Sequence, residues 1–428
     1  MPPAPDAHFG RLCEAHAHVF QHGRSLGMID LSACGSAADL LDRFAERSAD
    51  GGELLGHGAR PEAWADPEWP TPEAFERATG DGPAVAWCFD YHALLANRAA
   101  LALAGYADDS PDPSGGQLGR DADGRLTGLA YESAAIAVWE ALPEPAASDR
   151  SLLLERSLSA LAALGFAEVH DLKAQPWLGE AWRALLESGR TAVRGTLWLL
   201  MKDLGGVAAA RSAWEGDDLR LGGGKIFVDG TLNSRTAWML HPYADGHGNH
   251  PAGMALMSVE EIAAAVRTCD ALGVPMAAHA IGDGAVRAVI DALELVRPRT
   301  RGWRIEHAEL IDEADTLRLV RLTDEIGLIV SVQPCHLLPD IEALHRALPD
   351  RLGRVLPLRE LIDAGLVPGE YLVFGSDVPI VRADPGDSVQ AAVHRRREGM
   401  PAADAIAPEQ AVTEAEAWAC FRGGPASV

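Results

Sequence analysis

From about residue 150 to the end, apolar and polar positions alternate between two rhythms. In one, apolar residues recur every three or four positions and line one face of a 3.6-residue helix. This predicts helices over 150–164, 178–188, 258–272, 283–296, 312–324, 357–364 and 385–397. In the other, short β-rich runs predict strands over 166–170, 192–200, 224–228, 274–278, 303–306, 328–332 and 371–375. Strands that alternate with helices pair in parallel, because each helix carries the chain back across the sheet. This many units favours a closed barrel over an open sheet, so the expected fold is α/β, a (β/α)8 TIM-type barrel.

Residues 51–145 break the rhythm. Pro, Gly, Asp and Trp crowd GARPEAWADPEWPTPEAF and PDPSGGQLGRDADGRLTG, where Asp-Gly and Gly-Gly pairs mark turns that can join short strands. We read the stretch as an insertion in one barrel domain spanning 1–428, a lid or substrate-specificity region over one mouth. The plainer alternative is an irregular surface excursion. Trp64, Trp69, Trp238 and Trp303 are candidate walls of an apolar pocket, with core packing the commoner fate of tryptophan.

Composition acts mainly by exclusion. No apolar run reaches the roughly 18 residues that cross a bilayer, and the N-terminus lacks the basic start and apolar stretch of an export signal. The formal charge is -25, from 37 Lys+Arg against 62 Asp+Glu, which opposes attraction to nucleic-acid phosphates or anionic lipid. Nucleic-acid and membrane partners are therefore not expected; a small-molecule substrate is, and a homo-oligomer is left open. Cys13, Cys34, Cys88, Cys269, Cys335 and Cys420 form no CxxC, which fits neither a zinc knuckle nor a disulfide framework, so a cytoplasmic location is expected.

Candidate chemistry begins at EAHAH, Glu14 to His18. If Leu12 to Phe20 is a strand, side chains two apart share a face, about 7 Å apart at the backbone, and His16 and His18 can converge on one ion. Alone, the pair is more often two ordinary polar histidines. Four further polar residues then close apolar β-like runs: Lys225 in GGGKIFVDG, His279 in GVPMAAHAIGD, His307 in WRIEHAEL and Asp377 in YLVFGSDVP. Each has a plain alternative, a satisfied rim histidine or a Lys225 paired with Asp229. Jointly they point to the C-terminal mouth of a barrel, where the ends of different parallel strands meet. His92, His170 and Arg235 are candidate substrate contacts, with Asp171 beside His170. Ser376 faces away from Asp377 along any strand, so their adjacency makes no Ser/His/Asp triad.

The order HxH, Lys, His, His, Asp resembles the amidohydrolase superfamily. The words GFAEVHDL, GGGKIFVDGTLNSRTAWMLHPYAD, AAHAIGDGAV, WRIEHAELI and FGSDVP are similar to its third amidohydrolase family, which includes N-substituted formamide deformylase; FDYHALLANRAALALAGY and RDADGRLTGLAYESA extend the likeness into the insertion. The resemblance implies that His16, His18 and Asp377 bind a more buried divalent metal and His279 and His307 a more exposed one. Lys225 would be carboxylated, its carbamate bridging the two ions. Zinc is the expected metal, one or two ions per chain, with manganese, iron and cobalt compatible with such mixed ligation. The implied reaction is hydrolysis of a non-peptide C–N bond, in an amide, N-formyl group or cyclic amide, by a metal-activated water, with Asp377 moving the proton. Ester, lactone or phosphoester hydrolysis by the same cluster, or a non-catalytic metal-binding barrel, are the alternatives. Two departures stand out: Glu14 replaces the usual Asp before HxH, and the short tails imply that the family's flanking β-sandwich is reduced or absent.

Overall fold

The computed structural model describes residues 11–49, 54–61, 64–89, 91, 93–113, 115–245 and 250–422. Two compact units emerge, one from Met1–Gly23 with Ser151–Val428 and the other from Arg24–Arg150. The first is the expected barrel. Its eight strands are β1 (Leu12–Ala17), β8 (Phe166–Ala174), β9 (Arg194–Leu200), β10 (Leu219–Phe227), β11 (Met276–Ala280), β12 (Arg304–His307), β13 (Ile329–Val332) and β14 (Leu372–Phe374). They pair in that order, every ladder parallel.

The last seam, between β14 and β1, closes differently. Just past the end of β14, Asp377 N donates to His16 O (2.7 Å) and His18 N donates to Val378 O (2.9 Å), with a parallel bridge between Ala17 and Val378. The Glu14 carboxylate completes it, accepting from Ser376 N (2.9 Å), Ser376 Oγ (2.9 Å) and His16 N (3.0 Å). Gly375 is needed beside it, since a Cβ there would lie 2.5 Å from His16 N.

The predicted helices appear within a few residues of their expected bounds. Helices Met201–Ala210 and Leu337–Ala347 were not anticipated. Gly205 and Gly206 weaken the helical signal of the first, and Pro339 in the first turn disguises the second. Strand β10 starts five residues before the expected 224, because the glycine run hides its β character. Trp303 is buried in the barrel's apolar cluster, so it packs the core and does not wall a pocket; Trp238 packs, half-buried, against the same cluster.

The unit Arg24–Arg150 is wider and more ordered than the irregular stretch read over 51–145. Strands β2 (Ile29–Asp30), β3 (Leu54–Ala59), β4 (Ala84–Cys88), β5 (Ala93–Ala96), β6 (Gly116–Arg120) and β7 (Leu126–Glu132) form one sheet in the order β2-β3-β4-β5-β7-β6. Alternate residues feed separate apolar clusters: Val85, Trp87 and Leu94 belong to one, Ala84, Ala86 and Leu95 to the other. That is the period-two signature of a sheet covered on both faces. Trp64 is buried in the second cluster and Trp69 packs on it. Among the described residues, neither sheet is a β-sandwich drawn from both chain ends. No helix among them is long and apolar enough to cross a membrane.

Candidate metal centre

Strand pairing in the barrel gathers the ligand-type residues at the C-terminal ends of their strands. His16 is the fifth of six residues in β1, and His18 follows directly after it. The closing seam brings in Asp377, whose Oδ1 lies 2.9 Å from His18 Nε2 and 3.5 Å from His16 Nε2. In β11 and β12, His279 pairs with Glu306 and Ala280 with His307, so the two histidines are staggered by one residue. His307 ends its strand at φ 72°, which turns its ring into the site alongside its neighbour's; Asp377 is likewise left-handed, at φ 63°. The His307 ring centroid lies 4.9 Å from that of His16 and 4.4 Å from that of His279.

Lys225 reaches the same place from β10. A bulge between Leu221 and Gly223 shifts the register against β9, and a bulge of this kind re-aims the residues that follow. Gly223, at φ 151°, permits it: a Cβ there would fall 2.0 Å from Pro275 O. The Lys225 side chain is buried and its Nζ has no hydrogen-bond partner among the described residues. Asp229 is not its counterion. The Asp229 carboxylate accepts from the backbone N–H groups of Trp238 (2.9 Å), Ile281 (3.1 Å) and Gly282 (2.9 Å).

Several residues around the centre escaped the sequence reading. His16 Nδ1 lies 2.7 Å from Glu306 Oε2, and Arg304 grips that carboxylate through Nε (2.5 Å) and Nη2 (3.2 Å). His336 Nε2 donates to Ser376 O (3.1 Å), its Nδ1 stands 3.7 Å from Glu309 Oε1, and its ring is 6.1 Å from that of His307. The available signal was period two: Arg304 and Glu306 share a strand face, and in QPCH a histidine follows another strand end. Two of the expected substrate contacts, His170 and Arg235, have partners within the protein. His170 lies between Arg304 Nη1 (2.9 Å) and Glu168 Oε1 (3.3 Å), while Arg235 braces its own loop through Asp245 and the carbonyls of Leu232 and Asn233. Asp171 accepts from the backbone of Val19 (2.8 Å) and Lys173 (3.0 Å). His92 lies outside the described residues.

The electrostatics suit a cation. Burial lowers His16 to about 4 and His279 to about 3, and holds His307 well below the ordinary range, so all three are neutral imidazoles near pH 7. Burial works against ionisation of Asp377 too, yet the carboxyl stays ionised, below its ordinary value, with His18 Nε2 2.9 Å from its Oδ1. For Glu306, Arg304 and His16 likewise overcome burial. A neutral His16 beside an ionised Glu306 carries its proton on Nδ1, so its Nε2 lone pair faces the Asp377 oxygen. Two acceptors aimed at each other in a buried space call for a positive charge between them. His279 Nε2 donates to Gly230 O (3.1 Å), which frees its Nδ1 as a donor of electrons, and His307 Nδ1 is buried without a partner among the described residues. Neutral imidazole, carboxylate and an orphaned amine fit a divalent metal.

Comparison with known proteins agrees with this geometry. The model of a family described as "Amidohydrolase family" matches residues 12–428. Protein YtcJ of Bacillus subtilis (strain 168) is 27% identical over 401 residues, covering 91% of this chain and 73% of that one. An N-substituted formamide deformylase of Arthrobacter pascens is 28% identical over 350 residues, 78% of this chain and 62% of that one. The crystal structure of an uncharacterized metal-dependent hydrolase from Pyrococcus horikoshii OT3 is similar with a TM-score of 0.79 and 25% identity, over 96% of this chain and 79% of that one. A match over nearly the whole chain, in sequence and in fold, places it: this protein belongs to the amidohydrolase family and is a metal-dependent hydrolase.

Proposed function

We propose that the chain hydrolyses a non-peptide C–N bond of a small molecule, an amide, N-formyl group or cyclic amide, at a zinc centre of one or two ions. His16, His18 and Asp377 would hold the more buried ion and His279 and His307 the more exposed one, with Lys225, carboxylated, as a shared ligand. The observation that carries this reading is the buried set of lone pairs without protons: Nε2 of His16 against Asp377 Oδ1 at 3.5 Å, with the His307 ring 4.9 Å from that of His16. The likeness to N-substituted formamide deformylase supports the C–N class.

Bound metal supplies a Lewis acid for the carbonyl and lowers the pKa of water from 15.7 to roughly 7. The protein's own part is to place the groups and move the proton. Asp377, ionised and adjacent to both His16 and His18, accepts the proton of the attacking water and returns it to the leaving nitrogen. Lys225 is prepared for carboxylation: burial lowers its amine to about 8, so roughly one amine in ten is neutral at pH 7. That neutral nitrogen attacks carbon dioxide, forms the N–C bond and releases a proton, leaving an anionic carbamate. A glutamate-like pair of oxygens then stands where an ammonium would repel metal.

The test joins metal analysis to a substrate panel. We expect one to two zinc equivalents per chain and turnover of N-formyl, N-acyl or cyclic amides. A metal-loaded protein that cleaves only esters, lactones or phosphoesters would refute the C–N assignment, and a protein that takes up no metal would refute the centre.

A further inference from the structure

Behind His16 stands a buried ion pair that neither ligation nor the proton transfer by Asp377 employs. Glu306 and Arg304 are both almost wholly enclosed, on the inward face of β12. Glu306 Oε2 lies 2.7 Å from His16 Nδ1, and Gln333 Nε2 stands 3.4 Å from the same nitrogen. The Arg304 guanidinium forks onto the carboxylate through Nε (2.5 Å) and Nη2 (3.2 Å). Its Nη2 also donates to Ala15 O (2.8 Å), the carbonyl just before His16, and its Nη1 lies 2.9 Å from His170 Nδ1.

We propose that Glu306 and Arg304 are positioning residues that fix which nitrogen of His16 faces the metal. The inference rests on the reading of His16 as a ligand. Without a carboxylate at Nδ1, the imidazole is free to carry its proton on Nε2, where Asp377 Oδ1 at 3.5 Å would accept it. That tautomer has no lone pair for the metal and ties up the carboxylate as well. Glu306 prevents it by holding the proton on the far nitrogen. Arg304 keeps Glu306 in place and, through Ala15 O, ties it to the strand that carries His16. Stability alone does not call for ions here, because an apolar pair of similar volume is often as stable as a buried salt bridge. An apolar pair cannot select a tautomer. Partners of this kind behind a ligating histidine alter metal affinity about 10- to 100-fold.

The experiment titrates metal-free protein with zinc against a chromophoric chelator, for wild type, Glu306→Met, Glu306→Gln and Arg304→Lys. Zinc affinity should fall about 10- to 100-fold in Glu306→Met. It should fall less in Glu306→Gln, whose amide oxygen still accepts from Nδ1. Nitrogen-15 histidine spectra of the metal-free proteins read the tautomer directly: His16 is protonated on Nδ1 in wild type and shifts toward Nε2 in Glu306→Met. A merely structural role would lower thermal stability and leave both readouts unmoved. If Glu306→Met fails to fold, Glu306→Gln and Arg304→Lys, which keep a polar group in place, carry the same two measurements. Wild-type protein that binds no zinc would overturn the ligand reading of His16. Wild-type binding with unchanged affinity and tautomer in the variants would overturn the positioning role alone.

Discussion

At the scale of single residues, His307 and Asp377 both occupy left-handed backbone, at φ 72° and φ 63°. Non-glycine residues there carry strain, and such strain concentrates at functional sites. Here it has a use, since each turn delivers a side chain to the centre from the very end of a strand. Asp377→Asn should keep the fold and at least one ion, because an amide oxygen still coordinates, while turnover falls about 10²–10⁴-fold or more for want of a proton acceptor. Steady-state kinetics with metal content measured on the same samples decides it; a variant that keeps both its metal and most of its turnover assigns the proton to another group. Lys225→Ala should lose metal and activity together and regain part of both with small carboxylic acids that fill the carbamate's place. An unmodified Lys225 in a high-resolution, metal-loaded crystal structure would exclude that bridge. The proposed ligands stood out in the sequence because His, Lys and Asp at the ends of apolar runs are out of place in inert strands. Glu306 and Arg304 were not, since a charged residue in a one-dimensional string looks the same whether it faces water or a barrel interior.

At the scale of elements, the predicted helices and strands from 150 onward agree with the structure because the helices bury one periodic face and the barrel strands are short runs buried on both faces. What periodicity could not convey is how strands are aimed: the bulge at Gly223 and the closing seam at Glu14 both depend on partners far away in sequence. Glu14 is longer than the usual Asp by one methylene, and here its carboxylate spans two strands, from His16 N to Ser376. Burial raises it to about 7, against hydrogen bonds from His16 and Ser376. A carboxyl whose pKa is higher in the folded state adds stability below its unfolded value, near 4.5, and loses that contribution as pH rises through about 7. Glu14→Gln keeps an acceptor oxygen but has no such dependence. In metal-free protein the stability of Glu14→Gln relative to wild type should therefore improve between pH 5 and 8, by roughly 1–3 kcal/mol. Urea denaturation across that range measures it, and a constant difference would mean that Glu14 is ionised in the fold throughout.

At the scale of the whole molecule, all six proposed ligands fall in the unit formed by Met1–Gly23 and Ser151–Val428, and none in Arg24–Arg150. The change of rhythm announced that second unit, but its Pro- and Gly-rich words concealed a sheet with an apolar cluster on each face, because the pairings β2–β3, β3–β4 and β5–β7 join strands well separated in sequence. Confinement of the ligands to one unit makes metal a selective stabiliser. Anything that binds only the folded state adds RT ln(1 + [L]/Kd), about 2.7 kcal/mol when free metal is 100 times its Kd. The gain belongs to the barrel, where the ligands are, and should not reach a unit that holds none of them unless the two unfold as one. Calorimetry with and without a chelator separates the cases. We expect the transition that carries the larger enthalpy, the barrel's, to fall by several degrees when metal is removed and to recover as zinc is restored. A separate transition of the smaller unit should stay where it is. If every transition is indifferent to metal, the six residues do not form a binding site in the folded protein, however well their lone pairs converge.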